Sequence, residues 1–170
     1  MPDINTFATG ATIPTGPVGR AGDIVVDASA LNAISMSKVY TQGRAVGPGE
    51  CVVVTGLTSC VGLLLLCSGQ YLVACHFNGG HNKSTEWAKI RAQVDGRQVL
   101  TAVMIVNDDG LAMDWDHLQR GVNWLGARTS LRYTPSDQNV PIALFRDGNF
   151  GEMTRQQVAA RRRRQRCVIL

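Results

Sequence analysis

The sequence predicts an α/β protein built as a layered sandwich. Three observations carry that class. Apolar segments of strand length outnumber segments with helical periodicity, and the two kinds are interspersed. Several of the strand segments are apolar on both faces, so their sheet is covered on both sides. The chain of 170 residues is 45% apolar and 18% charged, enough to bury a sizeable core in one domain.

Residues 1–22, rich in Thr, Pro and Gly, read as a flexible leader. Gly22–Asp27 carries a short strand signal, and Asp27 or Ser29 can cap a helix reaching about Tyr40. Gly47-Pro48-Gly49 is a turn. Two apolar segments follow, Cys51–Cys67 and Tyr71–Phe77, separated by Ser68-Gly69-Gln70 and broken at Gly79-Gly80. Ser84 or Thr85 can cap a helix containing Trp87, Ile90 and Val94 that ends near Gly96. Val99–Val106 reads as a buried strand and Met113–Leu125 as an amphipathic helix. Thr129–Tyr133 and Val140–Phe145 are further strands. Gly151–Arg166 is helical by propensity and increasingly basic. The organisation is thus a leader (1–22), an α/β domain (23–150), a basic helix or tail (151–166) and a terminal tetrapeptide (167–170).

The formal charge is +4, and Arg161, Arg162, Arg163, Arg164 and Arg166 supply five of the positive charges. The body is therefore near neutral, which argues against a basic surface for nucleic acid. Cys51, Cys60, Cys67, Cys75 and Cys167 make an odd count, and the leader lacks a basic start followed by a long apolar run. Both features point to reduced thiols rather than a disulfide framework.

The most informative stretch runs from Thr55-Gly56-Leu57-Thr58-Ser59-Cys60-Val61-Gly62 to Cys75-His76-Phe77-Asn78-Gly79-Gly80. The two apolar segments form a β-hairpin if a three-residue loop joins them. With Ser68–Gln70 as the loop, Cys60 falls opposite Asn78 and His76 lies one diagonal step away on the same face, about 7–8 Å between backbones. With Cys67–Gly69 as the loop, Cys60 directly opposes His76. A two-residue loop would put them on opposite faces. A thiol beside an imidazole is a candidate nucleophile and base. The thiolate attacks a carboxamide carbon, the imidazole protonates departing ammonia, and it then activates the water that clears the thioester. Small residues before Cys60, Ser59 among them, leave backbone N–H groups for an oxyanion. The plain alternative is an inert core cysteine beside a satisfied histidine.

The segment Gly56–Gly62 resembles the Gly-Ser-Cys-Val stretch of the bacterial chemotaxis-receptor deamidases and the Leu-Ser-Gly-Cys stretch of cytotoxic necrotizing factor and related lethal-factor toxins. In those cysteine protein-glutamine deamidases a histidine follows on a neighbouring strand; here His76 follows Cys60 by sixteen residues. The resemblance implies a sandwich of two mixed β-sheets flanked by helices, with Cys60 as nucleophile and His76 as base. Chemotaxis and lethal-factor members carry a threonine where this chain has Val54, so the third role stays open between Thr55 and a backbone carbonyl. Ser59 and Asn78 are candidate cleft residues. The implied substrate is a host protein, with Rho-type small GTPases as the class attacked by the necrotizing-factor branch.

Cys167-Val168-Ile169-Leu170 fits a C-a-a-X box whose final leucine selects geranylgeranyl transfer. The arginines before it supply the second signal that stable anchoring on an anionic leaflet needs. A host prenyltransferase and the inner face of a host membrane are the expected partners, and a bacterial effector secreted into a eukaryotic cell is the expected setting. A solvated basic end with a chance tetrapeptide is the plain alternative. No cofactor is required by thioester chemistry. Cys75, His76 and His81 lack zinc-site spacing, so no metal is expected. His117 reads as a surface or capping residue, and Trp87 and Trp115 as core. Transglutamination through the same thioester, or lipid-anchored binding without turnover, are the rival functions.

Overall fold

The apolar runs do become strands, and their alternation sorts side chains into three core clusters among the described residues. A computed structural model of the chain describes residues 24–26, 40–58, 60–77, 84–106, 112–137, 140–154 and 156–157. Among these lie nine strands and two helices: β1 (Ile24–Val26), β2 (Tyr40–Ala45), β3 (Cys51–Val54), β4 (Val61–Cys67), β5 (Tyr71–Phe77), α1 (Ser84–Val94), β6 (Val99–Ile105), α2 (Ala112–Trp124), β7 (Thr129–Tyr133), β8 (Ile142–Phe145) and β9 (Phe150–Glu152). One sheet has the order β2-β5-β4-β6-β7 and the other β1-β3-β8-β9. Both are mixed: β6 and β7 are parallel in the first, β1 and β3 in the second, and the remaining pairs are antiparallel.

The result is the layered α/β sandwich of two mixed sheets. Leu63, Leu65, Val73 and Met104 face the helices and pack on Ile90, Val94, Leu118 and Val122. Their neighbours Leu64, Leu72, Ala74 and Ile105 face the other way, onto Val52, Val54, Ile142 and Leu144 of the second sheet. This explains why β4 reads as an unbroken apolar run: both its faces are interior. Leu63, Leu64 and Leu65 have no exposed surface, and each fully buried leucine contributes about 2 kcal/mol.

The helix layer is pinned by aromatic packing. Gly121 of α2 leaves the space that the Trp87 ring of α1 fills. Trp87 Nε1 donates to His117 Nε2 at 3.1 Å, and both rings pack on Phe77. His117 is therefore part of the helix–helix joint, not the surface or capping residue expected. Its imidazole is the acceptor that a buried indole N–H needs.

Three further expectations change. Tyr40, placed at a helix end by the sequence, opens β2, an edge strand whose Gly43 and Arg44 gave no strand signal; the rest of that helix, 27–39, lies outside the described residues. Cys51–Cys67 is not one strand. It splits into β3 of one sheet and β4 of the other, because Gly56 adopts φ +72° and turns the chain between them. Gly151 continues β9 instead of starting a helix, so the sheet runs past position 150. The helical turn at 156–157 begins later, at a capping box in which Thr154 Oγ1 accepts from Gln157 N and Gln157 Oε1 accepts from Thr154 N.

Candidate active site

The crossing segment Thr55–Cys60 builds the site. It leaves β3, passes over the end of β4 and enters that strand at Val61. β4 and β5 pair with Cys67 opposite Tyr71, Gly62 opposite His76 and Val61 opposite Phe77. The hairpin loop is therefore Ser68–Gln70, with Gly69 and Gln70 both at positive φ, and the Cys67–Gly69 alternative is not realised. Cys60 lies two residues before Gly62. It packs on the inter-sheet core, the core that also takes Ala74 and Leu72 of β5. Thiol and imidazole are therefore on the same face of this sheet, with Cys60 just beyond its first β4–β5 pair, Val61 with Phe77. Cys60 is partly exposed, whereas His76 is 1% exposed.

His76 is oriented from behind. Its Nδ1 lies 2.9 Å from the backbone carbonyl oxygen of Thr55. A carbonyl only accepts, so Nδ1 carries the proton and Nε2 presents a lone pair in the neutral ring. Nε2 is buried and has no hydrogen-bond partner among the described residues. Burial lowers the His76 pKa below 6.5, against the opposing pull of the Thr55 carbonyl. The ring is consequently held neutral at physiological pH. Of the two options left for the third role, a Thr55 side chain or a backbone carbonyl, the bond is made by the carbonyl of Thr55.

Gly62 has a packing role that no motif assigns to it. A Cβ there would lie 2.8 Å from Leu57 Cδ1, 3.3 Å from Val54 Cγ1 and 3.4 Å from Ile105 Cδ1. The bare backbone opposite His76 lets Leu57, 1% exposed, fold down and hold the crossing segment where its Thr55 carbonyl reaches the imidazole. The signal was present: a glycine inside an apolar strand marks close approach by another segment.

His76, Gly62, Ile105 and Tyr133 form one row across the five-stranded sheet. At its far end Tyr133 donates to Glu152 Oε1 at 2.9 Å, and Ser136 donates to the same carboxylate through its backbone N–H and its hydroxyl. Burial would raise the Glu152 pKa, but the bonds from Ser136 and Tyr133 outweigh it and hold the carboxylate low; burial and the adjacent carboxylate push the Tyr133 phenol up. This cluster ties β7 of one sheet to β9 of the other along the edge that carries the thiol.

Cys75 and His76 point to opposite faces: Cys75 lies in the helix-side core with Thr41 Oγ1 2.9 Å from its sulfur. Cys67 is fully buried, and burial pushes its thiol up to about 11, against the opposing influence of Arg97. Cys51, Cys60, Cys67 and Cys75 are thiols, not disulfide halves. No cluster of three His, Cys, Asp or Glu side chains with metal-site geometry occurs among the described residues. Ser59, Asn78, His81, Cys167 and the arginines Arg161–Arg164 and Arg166 lie outside the described residues. Comparison with protein-family models and with curated proteins gives no match.

The burial of His76 has a measurable pH signature. Its folded pKa lies below its unfolded value, so between the two the unfolded chain binds the extra proton. The contribution to stability is complete above about pH 6.5 and is lost as pH falls toward the folded pKa. Thermal midpoints followed from pH 7.5 to 5 are expected to drop more steeply for the native chain than for His76→Gln. Parallel curves would contradict a neutral buried imidazole.

Proposed function

We propose that the chain is a cysteine-dependent protein-glutamine deamidase. The observation that carries this is the bond between His76 Nδ1 and the Thr55 carbonyl, which leaves Nε2 as the basic nitrogen of a ring on the same face of the sheet as Cys60. The Cys60 thiol gives its proton to Nε2 and its sulfur attacks the carboxamide carbon of a glutamine side chain. The C–N bond breaks as the imidazolium returns the proton to the departing nitrogen, releasing ammonia and leaving a thioester. Water then attacks the same carbon while Nε2 takes its proton; the C–S bond breaks, the sulfur is reprotonated, and a glutamate side chain remains. No cofactor or metal enters any step. The resemblance of Gly56–Gly62 to the chemotaxis-receptor and necrotizing-factor deamidases supports the same chemistry.

The biological setting belongs to the proposal. A bacterial-type deamidase with a C-a-a-X box and adjacent arginines fits an effector delivered into eukaryotic cells and geranylgeranylated at Cys167 by a host prenyltransferase. Its substrate is a host protein at an anionic membrane, with Rho-type small GTPases as the first class to test. Membrane proteins from cells exposed to the native chain and to Cys60→Ala should be compared by intact mass and peptide mapping. The expected product is a peptide in which one glutamine has become glutamate only with the native chain. An added amine on that glutamine would replace deamidation with transglutamination, and identical maps would leave no enzyme. For the anchor, Cys167→Ser expressed in eukaryotic cells is expected to move the protein from membrane to cytosol. Unchanged membrane association would remove the prenyl group from the account.

A further inference from the structure

The two edges of the five-stranded sheet are chemically unlike. Parallel strands β5, β6 and β7 all end at the edge carrying His76, Ile105 and Tyr133, so the intervening helices run back and finish at the opposite edge. Backbone bonds from Val46 to Gln70, Ser68 to Gln98, Arg128 to Val99 and Arg146 to Glu50 collect the turns there. With them come Arg44, Arg91, Arg97, Arg128 and Arg146. The acids along this edge among the described residues are Glu50, Asp95 and Asp147, and each is engaged locally: Glu50 accepts from Gly47 N, Asp95 pairs with Arg97, and Asp147 accepts from Asn149. At the end of α2 stands Trp124, 49% exposed and the one large exposed apolar side chain among the described residues. The Arg91 guanidinium lies 4.5 Å from its ring centroid, and exposed Arg120 sits one turn back on the same helix face.

We infer that this edge is a docking surface for an anionic lipid leaflet. An indole beside guanidinium groups is the pairing that settles at a headgroup boundary: the ring enters the interface and the arginines meet lipid phosphates and carboxylates. An acidic protein would satisfy the arginines equally, but arginines spread along a whole edge around the one large exposed apolar side chain among the described residues suit a flat fluid surface better. The orientation that follows rests on the assignment of Cys60 and His76 as the reacting pair. The seven residues of β4 separate the two edges by roughly 20–24 Å, so the edge that carries Cys60 stands clear of the leaflet.

The tail arginines must be silenced to see this surface. Full-length chain, unprenylated and with Arg161–Arg164 and Arg166 changed to Gln, should be titrated with phosphatidylcholine vesicles with and without phosphatidylserine. It is expected to sediment only with the serine-containing vesicles and to show a blue shift in tryptophan emission. Trp124→Ala should lose that shift, and Arg91→Gln and Arg128→Gln should each weaken binding roughly fivefold. Equal behaviour on the two vesicles, an unmoved emission maximum, or capture of an acidic protein through Trp124 without vesicle binding would overturn the inference. None of these readouts involves turnover, so their failure leaves the deamidase proposal standing, and failure of deamidation leaves them unaffected.

Discussion

Cys60→Ser is expected to reduce glutamine deamidation by at least about a thousandfold while leaving the fold in place. The oxygen is a far poorer nucleophile than the thiolate at neutral pH, because an alkyl hydroxyl holds its proton far more tightly than a thiol does. Because Cys60 is only partly buried at the edge of the inter-sheet core, exchanging sulfur for oxygen should change stability by less than about 1 kcal/mol. The measurement is ammonia release per enzyme alongside a thermal melt. Retained turnover in the serine variant would remove the nucleophile from the proposal. A large loss of stability would mark Cys60 as a packing residue whose chemistry is incidental. His76→Asn gives the companion result. It should abolish turnover too, and it should also prevent alkylation of Cys60 by iodoacetamide from tracking the titration of a ring base. The pair of outcomes separates a thiol–imidazole couple from two neighbours that only share a core.

The strand ladder around the site was legible because its physics is local. Ser68-Gly69-Gln70 offers the one interruption between two long apolar runs, and a three-residue loop there fixes which residues of β4 and β5 share a face. That was enough to bring Cys60 and His76 together on paper. The crossing between sheets was not legible, because the small residues Thr55-Gly56-Leu57-Thr58-Ser59 read equally well as part of one extended segment; that Gly56 takes a positive φ and turns the chain is a tertiary fact. The Thr55 carbonyl was out of reach for a related reason. A backbone acceptor leaves no mark in a sequence, and its position depends on how Leu57 packs. Strand β2 was missed because Arg44 and Gly43 suit an edge, where hydrogen bonding to β5 rather than side-chain burial makes the strand. His117 was misread since a histidine near acidic residues suggests solvent, while its actual partner, the Trp87 N–H, comes from another helix.

The same packing yields the second prediction, a coupled pair. Leu57→Ala removes a side chain that is 1% exposed and leaves a cavity above Gly62, at an expected cost of about 3 kcal/mol. Gly62→Ala forces a Cβ to within 2.8 Å of Leu57 Cδ1, and the leucine must turn aside against Val54 and Ile105; about 1–3 kcal/mol is expected. Either change loosens the Thr55–Cys60 segment, so both should weaken the carbonyl's hold on His76 and lower turnover beyond what stability alone explains. In the double variant the new methyl occupies part of the space the leucine vacated. Its destabilisation should therefore fall short of the sum of the singles by about 1–2 kcal/mol. Urea denaturation of the four proteins measures that coupling. Additive effects would show that Leu57 and Gly62 act separately, and the crossing segment would then need another anchor to keep a backbone carbonyl 2.9 Å from a buried ring nitrogen.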